Sequence, residues 1–442
     1  MFERPSEGVP NRRRFSGGDA VATELHAGVI TAIPGEIDLS GEFDPVLITA
    51  ADRPHTDTLP VMPDPAADHE CIELKRRRED IELKHQRIRD FLDANEQDAV
   101  VLGRADSVAW FTSGGDLGQD LTSEYSSVLL FINRTSRAVV SDNVQSCRVF
   151  EEELAGLGFQ LKERPWFDDP FRPIAELCHN KRVATDLSST GCTHWRREGD
   201  PLRGLRQRMT SLERQRLREL GRTLTVAVEA TCRNFDRGER EADVAGHLAH
   251  RLLREGVVPV DLRVASDDRL ARYRQPTFKS APILKRATIA ITGRRFGLCA
   301  ALTRTVSFGP VDSEFQSHHT LAAMVDATCI FFSRPGETIS DVFRRARRIY
   351  EKFNSPHEWT LDYQGSLIGY SPRETVLTPD SNLILQPDMA VCWNPSVGSA
   401  RSEDTVVVDS RGYEVVTAAQ DWPQFEVCVK GYTMTRPGIL VR

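Results

Sequence analysis

From Arg269 to Val311 the chain contains neither Asp nor Glu, although this interval lies among residues suited to chemistry. Arg274, Arg294, Arg295 and Arg304 fall inside it, and Arg373 and Arg401 follow, with Glu374, Glu403 and Asp404 as possible counter-charges. A guanidinium fork grips carboxylate or phosphate through two parallel hydrogen bonds, so such a set suits a small anionic or zwitterionic ligand. The same arginines can equally pair with neighbouring acids or stand in solvent. Trp393 and Asn394, ahead of Pro395, offer an aromatic wall and a hydrogen-bonding amide, or else a plain turn. Tyr370, Arg373 and Glu374 belong to GYSPRE, where Gly369 and Pro372 imply a tight loop able to hold a substrate or simply to turn the chain. His318, His319 and His357 read as ordinary polar residues. GRRFG, Gly293 to Gly297, lacks the spacing and following lysine of a phosphate-binding loop.

These residues need a scaffold. Residues 1–70 are rich in proline and weak in periodicity, which predicts a loosely ordered extension. A helix is expected from near Asp68, with Ile72, Ile81, Ile88, Phe91 and Leu92 on one stripe; its KRRR cluster (Lys75 to Arg78) reads as a solvated face because acids interleave within a turn. Short apolar runs follow (DAVVLG, SVAWFTSG, SSVLLFIN, SRAVVSD), then a helix over Val149 to Leu157, together predicting an α/β domain that ends near Asp200. A second unit opens after Met209. Thr210 and Glu213 form a capping box, and DRGEREADVAGHLAHRLLREG reads as a second amphipathic helix. Strands are expected over VDLRVAS, ATIAITG and ALTRTVSFG, helices over Ser313 to Asp326 and Ile339 to Phe353, and strands again over MAVCWNPSV, EDTVVVDS and YEVVT.

The run QDAVVLGRADSVAWFTSGGD, with Phe111 to Gly114 at a turn, the RGERE turn, LTRTV (Leu302 to Val306) and WNPSVGSARSEDTVVV (Trp393 to Val408) together resemble the creatinase, prolidase and aminopeptidase P superfamily. The resemblance implies an α/β architecture: a creatinase-like α/β domain over 71–205 followed by a pita-bread domain over 206–442. It also implies homodimers, and five metal-ligand positions. Those positions fall here on Thr292 (or Ala290), Ala301, Gln364, Asn394 and Glu403, while substrate-contacting histidines fall near Gln275 and Ser371. Only Glu403 keeps an acid. Carboxylates are what bridge two divalent ions and polarise a water, and Thr, Ala, Gln and Asn cannot supply that charge. No cofactor is therefore expected, and no manganese, cobalt or zinc pair.

What remains is a site without its usual ions. Under the leading expectation, the chain is a metal-independent C–N hydrolase for a small-molecule or short-peptide substrate, of the aminopeptidase P, prolidase or creatinase type. Creatinase supplies the metal-free precedent. Arg274, Gln275, Arg304, Gln364, Tyr370, Arg373, Trp393 and Asn394 would then bind substrate, and Glu374 or Glu403 would orient a cationic group or move protons. The alternatives are an inactive pita-bread module for a peptide or protein, as in histone-chaperone relatives, and an active aminopeptidase with unconventional ligands. The 442 residues carry a net charge of -7, which gives no general attraction to nucleic acid. The absence of a long apolar run argues against a membrane span and predicts a cytoplasmic protein. Nine scattered cysteines without a CxxC pair suit reduced thiols.

Overall fold

The computed structural model describes residues 65–118, 120–188, 196–197 and 199–442. Most of the expected N-terminal extension lies outside these residues. The first domain begins with a long helix, α1 (Pro65–Ala94), and continues through β1 (Ala99–Arg104), α2 (Ala105–Phe111), β2 (Tyr125–Asn133), β3 (Arg137–Asp142), α3 (Ser146–Arg148), β4 (Gln160–Arg164), α4 (Arg172–Leu177), β5 (Val183–Thr185) and β6 (Arg196–Arg197). Its strands form one mixed sheet in the order β4-β3-β2-β1-β5-β6.

Ile81, Ile88, Phe91 and Leu92 bury the inner stripe of α1, but Ile72 is exposed. The KRRR cluster is more than a solvated face. Arg77 donates to the carbonyls of Thr112 and Glu153, and Arg78 to that of Gly156, so two of its guanidiniums pin α1 to neighbouring loops. SVAWFTSG contributes a short helix, with Thr112 turning its hydroxyl back onto Val108 O at 2.8 Å. The expected helix at Val149–Leu157 shortens to a single π-helical turn, Val149–Glu153.

A short helix, α5 (Gly199–Gly204), leads into the second domain: α6 (Ser211–Asn234), α7 (Glu241–Arg254), β7 (Val258–Ser266), α8 (Asp267–Arg272), β8 (Arg286–Arg295), β9 (Leu298–Ser307), α9 (Ser313–Phe331) and α10 (Ile339–Lys352). Then come β10 (Gly365–Ile368), β11 (Thr375–Val376), β12 (Ala390–Trp393), β13 (Ser396–Val397), β14 (Ala400–Arg401), β15 (Asp404–Asp409), β16 (Gly412–Val415), β17 (Gln424–Val429), β18 (Tyr432–Pro437) and β19 (Ile439–Val441). The capping box predicted at Thr210 and Glu213 starts α6. Gly221 lets that helix approach the sheet, because a Cβ there would meet Val416 O at 2.2 Å. Phe296 and Gly297, both at positive φ, close the two-residue hairpin between β8 and β9. The β17–β18 hairpin went unpredicted; Lys430-Gly431 at its turn was the available signal.

Two sheets of this domain, β19-β9-β8-β7 and β11-β10-β12-β15-β16, meet where β9 touches β15. The Thr405 hydroxyl donates to Ala301 O and accepts from Ala301 N, and Glu403 O accepts from Thr303 N. Behind this seam runs a buried chain of charges. Arg304 donates to Asp404 at 3.2 Å and to the carbonyls of Thr303 and Thr417, and it faces Glu229 at 3.8 Å. Arg436 joins Asp404, at 2.6 Å, to Asp326. Among the described residues no helix is long and apolar enough to cross a membrane.

Removing one member of such a buried set strands its partner's charge. Arg304→Ala is expected to cost about 3–5 kcal/mol, read as a lowered urea midpoint with unchanged m-value. Asp326 gives a pH signature. Burial pushes its pKa up to about 6, with Arg436 pulling it down and Asp404 adding to the rise. The native state therefore holds this proton longer than the unfolded chain does, whose carboxyl titrates near pH 4. Its stabilising contribution is complete below that pH and is lost as the pH rises through about 6. The stability difference between wild type and Asp326→Asn, measured by denaturant titration across pH 4–7, should follow that decline.

Candidate ligand cavity

One cavity of about 350 Å³ opens between the two sheets of the second domain. Alternation along the strands decides which side chains reach it. From β8 come Thr288, Ala290 and Thr292, and from β9 comes Ala301, whose Cα pairs with that of Thr292. Cys392 and Asn394 approach from β12 and its extension, Glu403 from the residue before β15, and Ser371, Pro372 and Arg373 from the turn between β10 and β11.

Most of the charge around the cavity is neutralised internally. Arg263 pairs with Asp261 at 2.5 Å and Arg274 with Glu358 at 2.8 Å. Arg401 pairs with the nearly buried Asp362 and also donates to Arg274 O and Asn394 O. Arg373 differs. It is exposed and stacked over the Tyr363 ring at 5.0 Å, and among the described residues no carboxylate lies within ion-pair distance of it.

Glu403 is the acid of the cavity floor. Its Oε2 accepts from the Thr303 hydroxyl, and its Oε1 faces the Cys392 thiol at 3.5 Å. The residue keeps partial exposure, yet its carboxyl lies deep within the protein. Burial therefore raises its pKa above the ordinary carboxylate value, while Arg401 and the two hydrogen bonds pull it back. Burial, and Glu403 after it, lift the Cys392 thiol well above its usual pKa, so this thiol is a weak nucleophile. Two amide oxygens nearby are buried without a hydrogen-bond partner among the described residues, Asn394 Oδ1 and Gln275 Oε1. The Gln275 nitrogen donates to Asp362 at 2.6 Å.

Several residues expected to bind substrate stand elsewhere. Arg304 is fully buried in the charge chain behind the seam, on the face opposite Thr303. Trp393 points away from Asn394 into the apolar core beside Phe343 and donates to Ser333 Oγ at 2.8 Å, as the alternation of neighbouring strand residues requires. The Gln364 side chain is committed to the Tyr350 hydroxyl and the Asp362 carbonyl. Tyr370 is buried, donating to Glu213 at 2.7 Å with Lys84 Nζ at 3.4 Å. Glu374, offered as a proton carrier, is clamped by Arg206, which also grips Asp106 and Ser107 of the first domain, and it accepts from the amides of Tyr370 and Ser371. It orders the rim turn and does not line the cavity.

Asp362, Glu358, Cys392 and Thr303 were missed as partners. Cys392 and Asp362 each lie two residues before a singled-out position, Asn394 and Gln364, and that spacing was a usable signal.

The donor set does not match a dinuclear centre. Thr292, Ala301 and Asn394 bring no charge, Gln364 is held by other partners, and Glu403 alone is a carboxyl. Among the described residues no group of three His, Cys, Asp or Glu side chains is placed to hold an ion.

The sequence model of metallopeptidase family M24 matches residues 215–410, the segment that builds these walls. Over those residues the second domain is similar to metallopeptidase family M24. An uncharacterized peptidase of Staphylococcus haemolyticus is 23% identical over 282 residues, covering 59% of this chain and 78% of that protein. A second, from Staphylococcus aureus, is 29% identical over 128 residues, 27% of this chain and 35% of that protein. Among solved structures, the Xaa-Pro dipeptidase from Bacillus anthracis superposes with a TM-score of 0.67 at 16% identity, covering 82% of this chain and 100% of that one. The X-Pro aminopeptidase from Thermotoga maritima gives 0.66 at 17% identity, covering 81% and 99%. The chain thus has the pita-bread fold of these structures, with an α/β sheet domain ahead of it.

If charge is what the floor lacks for metal, restoring it should restore binding. The combined variant Thr292→Asp, Ala301→Asp, Gln364→His and Asn394→Glu is expected to bind manganese at least a hundredfold more tightly than wild type, measured by isothermal titration. Equal binding by both proteins would refute this account of the donor set.

Proposed function

We propose that this M24 homologue works without the paired metals and binds a small anionic or zwitterionic molecule in the cavity between its sheets. Its reaction is hydrolysis of a C–N bond, the class suggested by its likeness to Xaa-Pro dipeptidases. The observation that carries the reading is the cavity floor. Of the five positions that would have to cage two divalent ions, Thr292, Ala301, Gln364 and Asn394 carry no charge, leaving Glu403 as the one carboxyl among them. Arg373, the unpaired guanidinium at the mouth, anchors the anionic group, and the Asn394 amide meets a polar group deeper in. Glu403 is the floor residue able to exchange a proton with the scissile nitrogen. A role in nucleic-acid binding draws no support, since Arg77 and Arg78 are committed to backbone carbonyls.

The test pairs metal analysis with a ligand screen on the purified full-length chain. Elemental analysis should find no stoichiometric manganese, cobalt or zinc; two equivalents would refute the proposal. In a thermal-shift screen of amino acids, guanidino compounds and dipeptides, a binder should raise the melting temperature equally with and without EDTA. Its dissociation constant should rise at least tenfold in Arg373→Gln, a loss of about 1.4 kcal/mol. Stabilisation only by extended peptides or a protein partner would instead favour an inactive binding module.

A further inference from the structure

The cavity's charges are unevenly distributed, and this bears on which end of a ligand goes in first. At the mouth, Arg373 has no acid partner among the described residues, while Arg263, Arg274 and Arg401 are each held by a carboxylate of the chain itself. The inner surface carries small neutral groups: Thr288, Ala290, Thr292, Ala301, Ser366 and Cys392. Glu403 stands among them, but its oxygens already face the Thr303 hydroxyl and the Cys392 thiol. Beside them Asn394 Oδ1 is buried with no donor among the described residues, and an acceptor left in that state costs free energy until something donates to it.

Building on the reading of the cavity as a small-anion site, we propose that its ligand is a monoanion that enters with a neutral, hydrogen-donating end first. The hydroxyl or amide N–H of that end reaches Asn394, and the anionic group stays at the mouth on Arg373. An ammonium at the inner end is disfavoured. It would be stripped of water against methyls and hydroxyls, and one carboxyl already engaged by two donors returns too little to offset that desolvation. A hydroxyl or amide of the same size carries no such penalty and still satisfies the buried acceptor. The volume of about 350 Å³ lies at the small end of ligand pockets, in keeping with a compact molecule. The substrate class is therefore an N-acyl amino acid, or a dipeptide whose amino group is blocked or replaced by hydroxyl, and simple hydroxy acids serve as probes of the inner end.

Matched probes test this directly. Glycylproline and N-glycoloylproline differ in having an ammonium or a hydroxyl at the inner end, as do glycine and glycolate. Isothermal titration on the full-length wild-type protein should show the hydroxyl member of a pair binding at least tenfold more tightly. Asn394→Leu should shrink that preference, and Arg373→Gln should weaken both members alike. Tighter binding of the ammonium member, still weakened by Arg373→Gln, would overturn this inference while leaving the anion-site reading intact. Binding by none of the four probes at millimolar concentration would overturn both.

Discussion

The ion pair between Arg304 and Asp404 ties β9 to β15, and the site depends on that join. Neither side chain has measurable solvent exposure, and the pair extends through Arg436 to Asp326. Because successive strand residues face opposite ways, fixing Arg304 and Asp404 behind the seam turns Thr303 and Glu403 toward each other on the cavity side. One face of the seam holds a dense array of buried charge, and the other holds a cavity whose inner strands present mostly neutral side chains and whose surrounding charges are largely paired. Paired charges in the protein interior persist only with close partners. The array behind the seam has such partners, whereas Thr292, Ala301 and Asn394 of the cavity carry no charge.

A second constraint reaches the rim. The turn carrying Ser371 and Arg373 belongs to the second domain, and its geometry is held by the carboxylate of its own Glu374, which is tied to the first domain through Arg206. That carboxylate accepts from two amides of the turn and from Arg206, and Arg206 also grips Asp106 and Ser107 of the first domain. Nearby, Tyr370 reaches Glu213 and Lys84, and Lys84 is itself buried between Asp80 and Glu213. The first domain thus does more than accompany the cavity: its side chains set the place where the unpaired guanidinium stands.

How legible the site was varied with the kind of signal. The scaffold could be read because hydrophobic periodicity and capping are local: the Thr210–Glu213 box, the strands over VDLRVAS and ATIAITG, and the helix from Ile339 all appear within a residue or two of expectation. Strand alternation constrains the site further. Trp393 and Asn394 cannot share a face, nor can Thr303 and Arg304, so one member of each pair had to leave the site. The roles of Glu374 and Gln364 were not readable at all, since their partners Arg206 and Tyr350 are set by long-range packing.

The sequence by itself determined the domain type and the chemical poverty of the floor. Both follow from residue identity and short-range pattern, and no folding can place a carboxylate where the chain has none. Tertiary structure alone decided which arginine remains available. Arg263, Arg274, Arg304, Arg373 and Arg401 are the same side chain on paper, and each becomes a structural tie or a ligand anchor according to whether folding brings a carboxylate within a few ångströms of it.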